Sequence, residues 1–438
     1  MTGSENQVKW QAGVIAYADQ VNAYVKRGQT QGWDDVGPEP QCEHLDPLAE
    51  DAINAVRKAN AEGNLGLLRE LWPPAHAPLV NMLQEGKAQG IPVMYFLDDG
   101  SILARLGTEH EPGMAVQIQG DTVTELPTAG MFGRCPNRKY FAVALAEGVE
   151  ITDGWGGIRT ALCPWPTGLE GIPDGLDYPP LENPPTPTQL IPFPDGRRVL
   201  LVSSDGIFVL SPDHVGRLMP DIETIKEDAE YSTTQDEKLQ LPYLSMEHGA
   251  VSKDGRWVAI GSQDSTHMIF SNDLKPAGNV GNLIDYPHYA LFSDDCSMIA
   301  FNSCHFYNGA TIAVKTSDLP GLETDAYEEN EQTPVLEAQS RVDPGIATGD
   351  TFIIGDAYGY IRAFNHSGEQ LWEQFVGSTI GAIDLSPNGK TLAVSSYAGF
   401  LALFDLNAGT QAPFQIGNGG HFETRRWIFW KDEPALIW

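Results

Sequence analysis

Along the first 88 residues the apolar positions recur with a helical period. Trp10, Val14, Tyr17, Val21 and Tyr24 alternate spacings of four and three, which places them on one face of a helix. Ser4 followed by Gln7 reads as a capping-box start, and Gly28 is the expected stop. Asp46 and Pro47 mark a second start, with Leu48, Ala52, Val56 and Ala59 as its stripe and Gly63 as its end. Shorter helices are predicted over 65–72, ahead of Pro73 and Pro74, and around 79–83. Faces of this kind pack on one another and on the next domain, so residues 1–88 are expected to form a small α-helical domain.

Near residue 91 the pattern changes to short Val, Ile, Leu and aromatic runs separated by Gly, Asp, Asn and Pro. Three phrases superimpose: Ser386-Pro-Asn-Gly-Lys-Thr-Leu-Ala-Val, Pro192-Phe-Pro-Asp-Gly-Arg-Arg-Val-Leu and Ser252-Lys-Asp-Gly-Arg-Trp-Val-Ala-Ile. Weaker copies begin at Cys135 and Ser293. Asn388-Gly389, Asp195-Gly196 and Asp254-Gly255 supply the positive φ angles of a two-residue hairpin turn. Each phrase thus opens a small antiparallel sheet whose faces its neighbours must cover. The turns fall near 137, 195, 254, 295, 349 and 388, and the shorter spacings match a propeller blade.

Six blades are visible, and the strand-turn-strand at 426–438 reads as half of a seventh. Strands predicted over 93–97, 101–106, 114–118 and 122–126 would supply the remainder. The expected fold is therefore mainly β, a seven-bladed β-propeller over 91–438 closed by pairing of N- and C-terminal strands. Six or eight blades are also compatible with the spacing, because insertions near 156–189, 214–247 and 318–338 blur it. The first of these insertions is rich in proline.

The Ser-Pro-Asn-Gly-Lys-Thr-Leu-Ala-Val phrase resembles the YVTN and WD40-like β-propeller superfamily. Gly355-Asp-Ala-Tyr-Gly-Tyr-Ile-Arg-Ala-Phe-Asn-His-Ser-Gly-Glu-Gln-Leu-Trp372 is similar to a quinoprotein-like repeat. The resemblance covers roughly residues 91–438. It implies a propeller and leaves function open, since the superfamily includes enzymes, scaffolds and binding modules.

Charge narrows what such a ring would bind. Lys and Arg number 27 against 59 Asp and Glu, a formal charge of 27 − 59 = −32. A surface of that sign repels phosphate backbones and anionic lipids, which argues against nucleic acid and membrane and for a basic protein partner. Asp221, Glu223, Glu227, Asp228 and Glu230 concentrate in one insertion, and Glu323, Asp325, Glu328, Glu329 and Glu331 in another that has no Lys or Arg. Standing outside the repeat, these ten acids are the candidate partner-binding residues. Gathered on one face, they would speed association with a cationic partner by about 10- to 1,000-fold at low salt. No leader sequence and no run of about 18 apolar residues is visible, and five cysteines are sparse and odd in number, so a cytoplasmic location is expected.

Catalytic patterns are missing from the string. Gly389-Lys390-Thr391 imitates the end of a phosphate loop, but residue 384 is Asp where that loop requires Gly. Cys296, Cys304 and His305, and separately Glu109, His110 and Glu111, come nearest to a metal site without its spacing. No catalytic residue, metal or cofactor is assigned. The expected function is a non-catalytic protein-binding propeller, specifically an acidic immunity- or antitoxin-like inhibitor that occludes a basic toxin such as a nuclease in a bacterial cytoplasm. A scaffold or assembly propeller is one alternative, and a quinoprotein- or lactonase-like enzyme is another.

Overall fold

The computed structural model describes residues 4–83, 86–108, 113–126, 130–234, 239 and 243–438; Glu109, His110 and Glu111 lie outside them. Seven antiparallel sheets form a ring, a β-propeller. Blade one spans 93–126, two 132–163, three 187–219, four 248–280, five 286–337, six 342–375 and seven 380–437. In each, the first strand is innermost and touches the first strand of the next blade; Val93–Phe96 of blade one touches Ile380–Leu385 of blade seven, which completes the circle. An up-and-down sheet puts its 1–2 and 3–4 turns at one rim, here called the lower face. Its 2–3 turns and the crossings to the next blade lie at the other rim, the upper face. No helix among the described residues is long and apolar enough to cross a membrane.

The six turns that the repeat predicts are all 1–2 turns of blades; Gly349-Asp350 in blade six is a two-residue turn, and the other five enclose four residues. In blade four Ser252 N donates to Trp257 O and Gly255 N to Ser252 O, enclosing four residues. The Ser252 hydroxyl donates to Asp254 Oδ1 at 2.7 Å and accepts from Trp257 N at 2.9 Å, while the same Asp254 oxygen accepts from Arg256 N. Ser386 with Asn388 and Ser293 with Asp295 repeat this arrangement, which is the physical content of the Ser-x-Asx phrase. The next position needs positive φ. Gly255 and Gly389 meet it freely, whereas Cys296 at +59° and Arg138 at +68° occupy it in the two weaker copies.

The seam between first and last blades departs from the expected strand exchange. Phe422–Ile428 pairs with Phe400–Asp405, and Leu436–Ile437 adds a fifth strand to the same sheet. Blade seven is complete without help, and residues 93–126 build blade one alone, so no sheet of the described residues holds strands from both ends. The irregular stretch 407–421 separates the outer strand from its partners and makes 426–438 look like an orphan.

Beside the seam the two end regions meet in an isolated antiparallel bridge, Ala88 with Trp430, and the helices pack on blade seven. α1 (Glu5–Gln31) and α2 (Asp46–Glu62), with the short α3 (Leu68–Leu71) and α4 (Ala77–Asn81), bury Trp10, Val14, Ile53, Val56 and Leu79 against Phe400, Ile428, Trp430, Leu436 and Trp438 of blade seven. Arg57 grips Glu433 through two hydrogen bonds of 2.8 and 2.9 Å; Asn60 pairs with both backbone groups of Ile437. The predicted stop at Gly28 is overrun: α1 continues to Gln31, and Trp33 packs where a side chain at 28 would stand. Gly28 is there for a close approach rather than for a helix end.

Candidate functional site

The two acidic segments are exposed but separate. Asp221 caps α5 (Ile222–Thr234), its carboxylate accepting from Thr224 N at 2.8 Å, and Glu223, Glu227, Asp228 and Glu230 face solvent along that helix. α5 occupies the crossing from blade three to blade four on the upper face, with Ile225 buried beneath and Ile222 against Gly171 of the proline-rich loop. The sequence does not announce this helix. The second segment leaves blade five at its 3–4 turn on the lower face. Leu322–Glu323 then adds a short parallel strand to the outer edge of blade four, opposite Gly278 and Asn279. From there the chain climbs, Tyr327 N reaching Asn282 O at the upper crossing, so Asp325, Glu328, Glu329 and Glu331 lie on the outer wall and upper rim. Glu337, which shares this insertion, is buried in the outer strand of blade five and is not a surface charge.

Along the axis runs a channel of about 610 Å³, walled by the first strands of all seven blades. Its lower end carries a cluster of charged side chains. Arg134 of blade two meets Asp384 of blade seven in two hydrogen bonds of 2.8 and 3.0 Å, and Asp384 also accepts from Phe96 N of blade one at 2.7 Å. Arg138 adds a contact at 3.3 Å, and the Arg134 guanidinium lies 4.7 Å from the Tyr95 ring. Three consecutive blades are thus tied together across the seam.

The upper end of the channel is chemically different. His288 Nε2 lies 3.3 Å from Asp343 Oδ1, and Arg341 Nε lies 3.4 Å from the same oxygen. Beside them Glu247 accepts from the Thr188 hydroxyl at 3.0 Å, and His248 Nε2 is 3.4 Å from His267 Nδ1. Burial holds His248 far below the ordinary imidazole range, at about 3, and lowers His267 as well, so both rings are neutral. Burial also raises the Tyr289 hydroxyl. Among the described residues no group of three His, Cys, Asp or Glu side chains converges in a metal-binding arrangement. Cys296 and Cys304 stand beyond and within one extended strand, Met298–His305, toward its opposite ends.

The upper rim of blades four to six carries aromatic side chains that face solvent. Phe306 and Tyr307 form the two-residue 2–3 turn of blade five and are 73% and 52% exposed. The Tyr307 ring lies 5.8 Å from that of Tyr358, which caps the 2–3 turn of blade six and donates from its hydroxyl to Asn308 Oδ1 at 2.8 Å. Tyr327 is exposed on the neighbouring crossing. Phe306 and Tyr327 sit at φ +55° and +65°, a region unfavourable to bulky residues. Arg341 joins this rim to the channel: its backbone N–H donates to Tyr307 O at 2.8 Å and its guanidinium lies 5.4 Å from the Tyr307 ring.

Compared with known proteins, the chain matches no family model and none of the curated proteins. Its architecture is assigned from its sheets, and no repeat family is assigned.

Proposed function

We propose that this chain is a protein-binding propeller whose upper face docks a basic partner through Phe306, Tyr307, Tyr327 and Tyr358. The observation that carries the reading is the pair Phe306 and Tyr327, bulky residues held in a backbone region that costs about 1–3 kcal/mol and yet exposed to water. A turn free of other demands would place Gly or Asn there. Aromatic anchors with a charged surround are the composition of an interface hot spot. Asp285, Asp325, Glu328, Glu329 and Glu331 supply negative charge around them, and the α5 acids extend the field at longer range. The finer reading is an immunity-like inhibitor, since a nucleic-acid-cleaving toxin presents a basic cleft of complementary sign.

The test is affinity capture on the immobilised chain from its native host at low and high salt. A basic protein held at low salt and weakened by salt is expected, and Phe306→Ala with Tyr327→Ala should reduce its affinity by about 30-fold or more. Capture that is unchanged in this double variant overturns the docking site; absence of any salt-sensitive basic protein overturns the partner class.

A further inference from the structure

Nine buried side-chain atoms among the described residues lack a hydrogen-bond partner, and three of them belong to one contact group: His288 Nδ1, Arg341 Nε and Asp343 Oδ2. The other six fall on six residues elsewhere, including His76, His366 and Trp427. A buried orphan costs about 1–3 kcal/mol, so three together at the mouth of a channel call for a missing partner. Each parent side chain keeps 15–22% of its surface accessible, and all three residues line the channel. The strain nearby points the same way: Met246, lining this mouth, sits at φ +54°.

We propose that this mouth binds a neutral, hydroxyl-rich small molecule of the carbohydrate class. The charges of Arg341 and Asp343 offset each other, so the trio attracts neither an anion nor a cation; an anion would meet Asp343 and Glu247, and a cation would meet Arg341. The remaining capacities are complementary at short range. Asp343 Oδ2 only accepts, Arg341 Nε only donates, and His288 Nδ1 does either according to its tautomer. A ligand must therefore donate and accept from adjacent atoms without carrying charge, which is what neighbouring hydroxyls do. The volume of about 610 Å³ suits a mono- or disaccharide. This site shares Arg341 with the rim described above but stands whether or not that rim docks a protein.

The experiment is calorimetric titration and saturation-transfer NMR of the full chain with glucose, galactose, mannose, N-acetylglucosamine, maltose and lactose, each to about 10 mM. At least one is expected to bind saturably at a single site. Asp343→Ala and, separately, His288→Ala should each weaken it about tenfold, with unchanged melting temperatures confirming the fold. Asp294→Asn, at the lower end of the channel, should leave it unaltered. Failure of all six sugars to saturate overturns the proposal. Equal binding by Asp343→Ala and His288→Ala does so too, as does a crystal structure at saturating sugar with water alone on the trio.

Discussion

The two ends of the channel use the same residue types to opposite effect. At the lower end Asp384 receives two hydrogen bonds from Arg134, one from Arg138 and one from a backbone N–H, and nothing on it is left over. At the upper end Asp343 has a histidine and an arginine at 3.3 and 3.4 Å and one oxygen with no partner at all. A carboxylate with every lone pair engaged ties a structure together; one left open is available to something else. The difference is one of completeness rather than of composition, and it separates the end that holds the ring from the end that can receive a ligand.

Breaking each end should expose that difference most strongly in stability. Asp384→Ala leaves Arg134 buried and uncompensated and is expected to cost about 3–5 kcal/mol in urea denaturation, against about 1 kcal/mol or less for Asp343→Ala. Equal losses would erase the contrast between the two ends.

Acid should act on the upper end and on the clasp. His76, His248 and His267 are neutral when folded because burial lowers them below 6.5, so the unfolded chain binds protons that the folded chain refuses. Their contribution is complete above pH 6.5 and is lost as pH falls toward about 3, the value for His248. Glu337 opposes them: burial raises it to about 7, so its cost appears as pH rises from its unfolded value of 4.5 through 7. His421 is lowered by burial in the same way, and Asp205 and Asp356 are raised like Glu337; a net loss of stability is expected between pH 7 and 5, where the imidazoles titrate in the unfolded chain. A flat melting temperature across that range would place these histidines in contact with water.

The smallest effect has two signs. Phe306→Gly removes the strain of φ +55° and should stabilise the fold by at most about 1 kcal/mol in thermal denaturation while weakening partner binding. A destabilised variant would mean that the exposed ring is structural.

Six blades were legible because their 1–2 turns recur locally, most clearly as Ser-x-Asx-Gly at 252 and 386, and the count of seven came from adding the strands predicted over 93–126. The seam was not, since pairing of Phe400–Asp405 with Phe422–Ile428 spans a stretch without strand character. The channel mouth was still less accessible to sequence reasoning. His288, Arg341 and Asp343 come from blades five and six, and Glu247 from the approach to blade four, joined only by the closing of a ring. None belongs to a motif. The aromatic rim left a fainter signal: Phe306 and Tyr307 occupy a tight turn where Gly or Asn is usual, and that mismatch could have been noticed. The ten acidic residues were found by composition, and the structure seats them by two successive crossings, α5 ahead of blade four and the 323–331 segment beside the crossing that follows it.

The helical clasp also sets an order of events. Trp10, Val14, Ile53 and Val56 are synthesised hundreds of residues before the Phe400, Ile428, Trp430 and Trp438 that cover them. Throughout that interval the helices carry an uncovered apolar face, and contacts of such long sequence separation form slowly. The helices thus wait for blade seven, and a chain that stops short of residue 400 leaves them sticky, a state that chaperones and proteases can recognise.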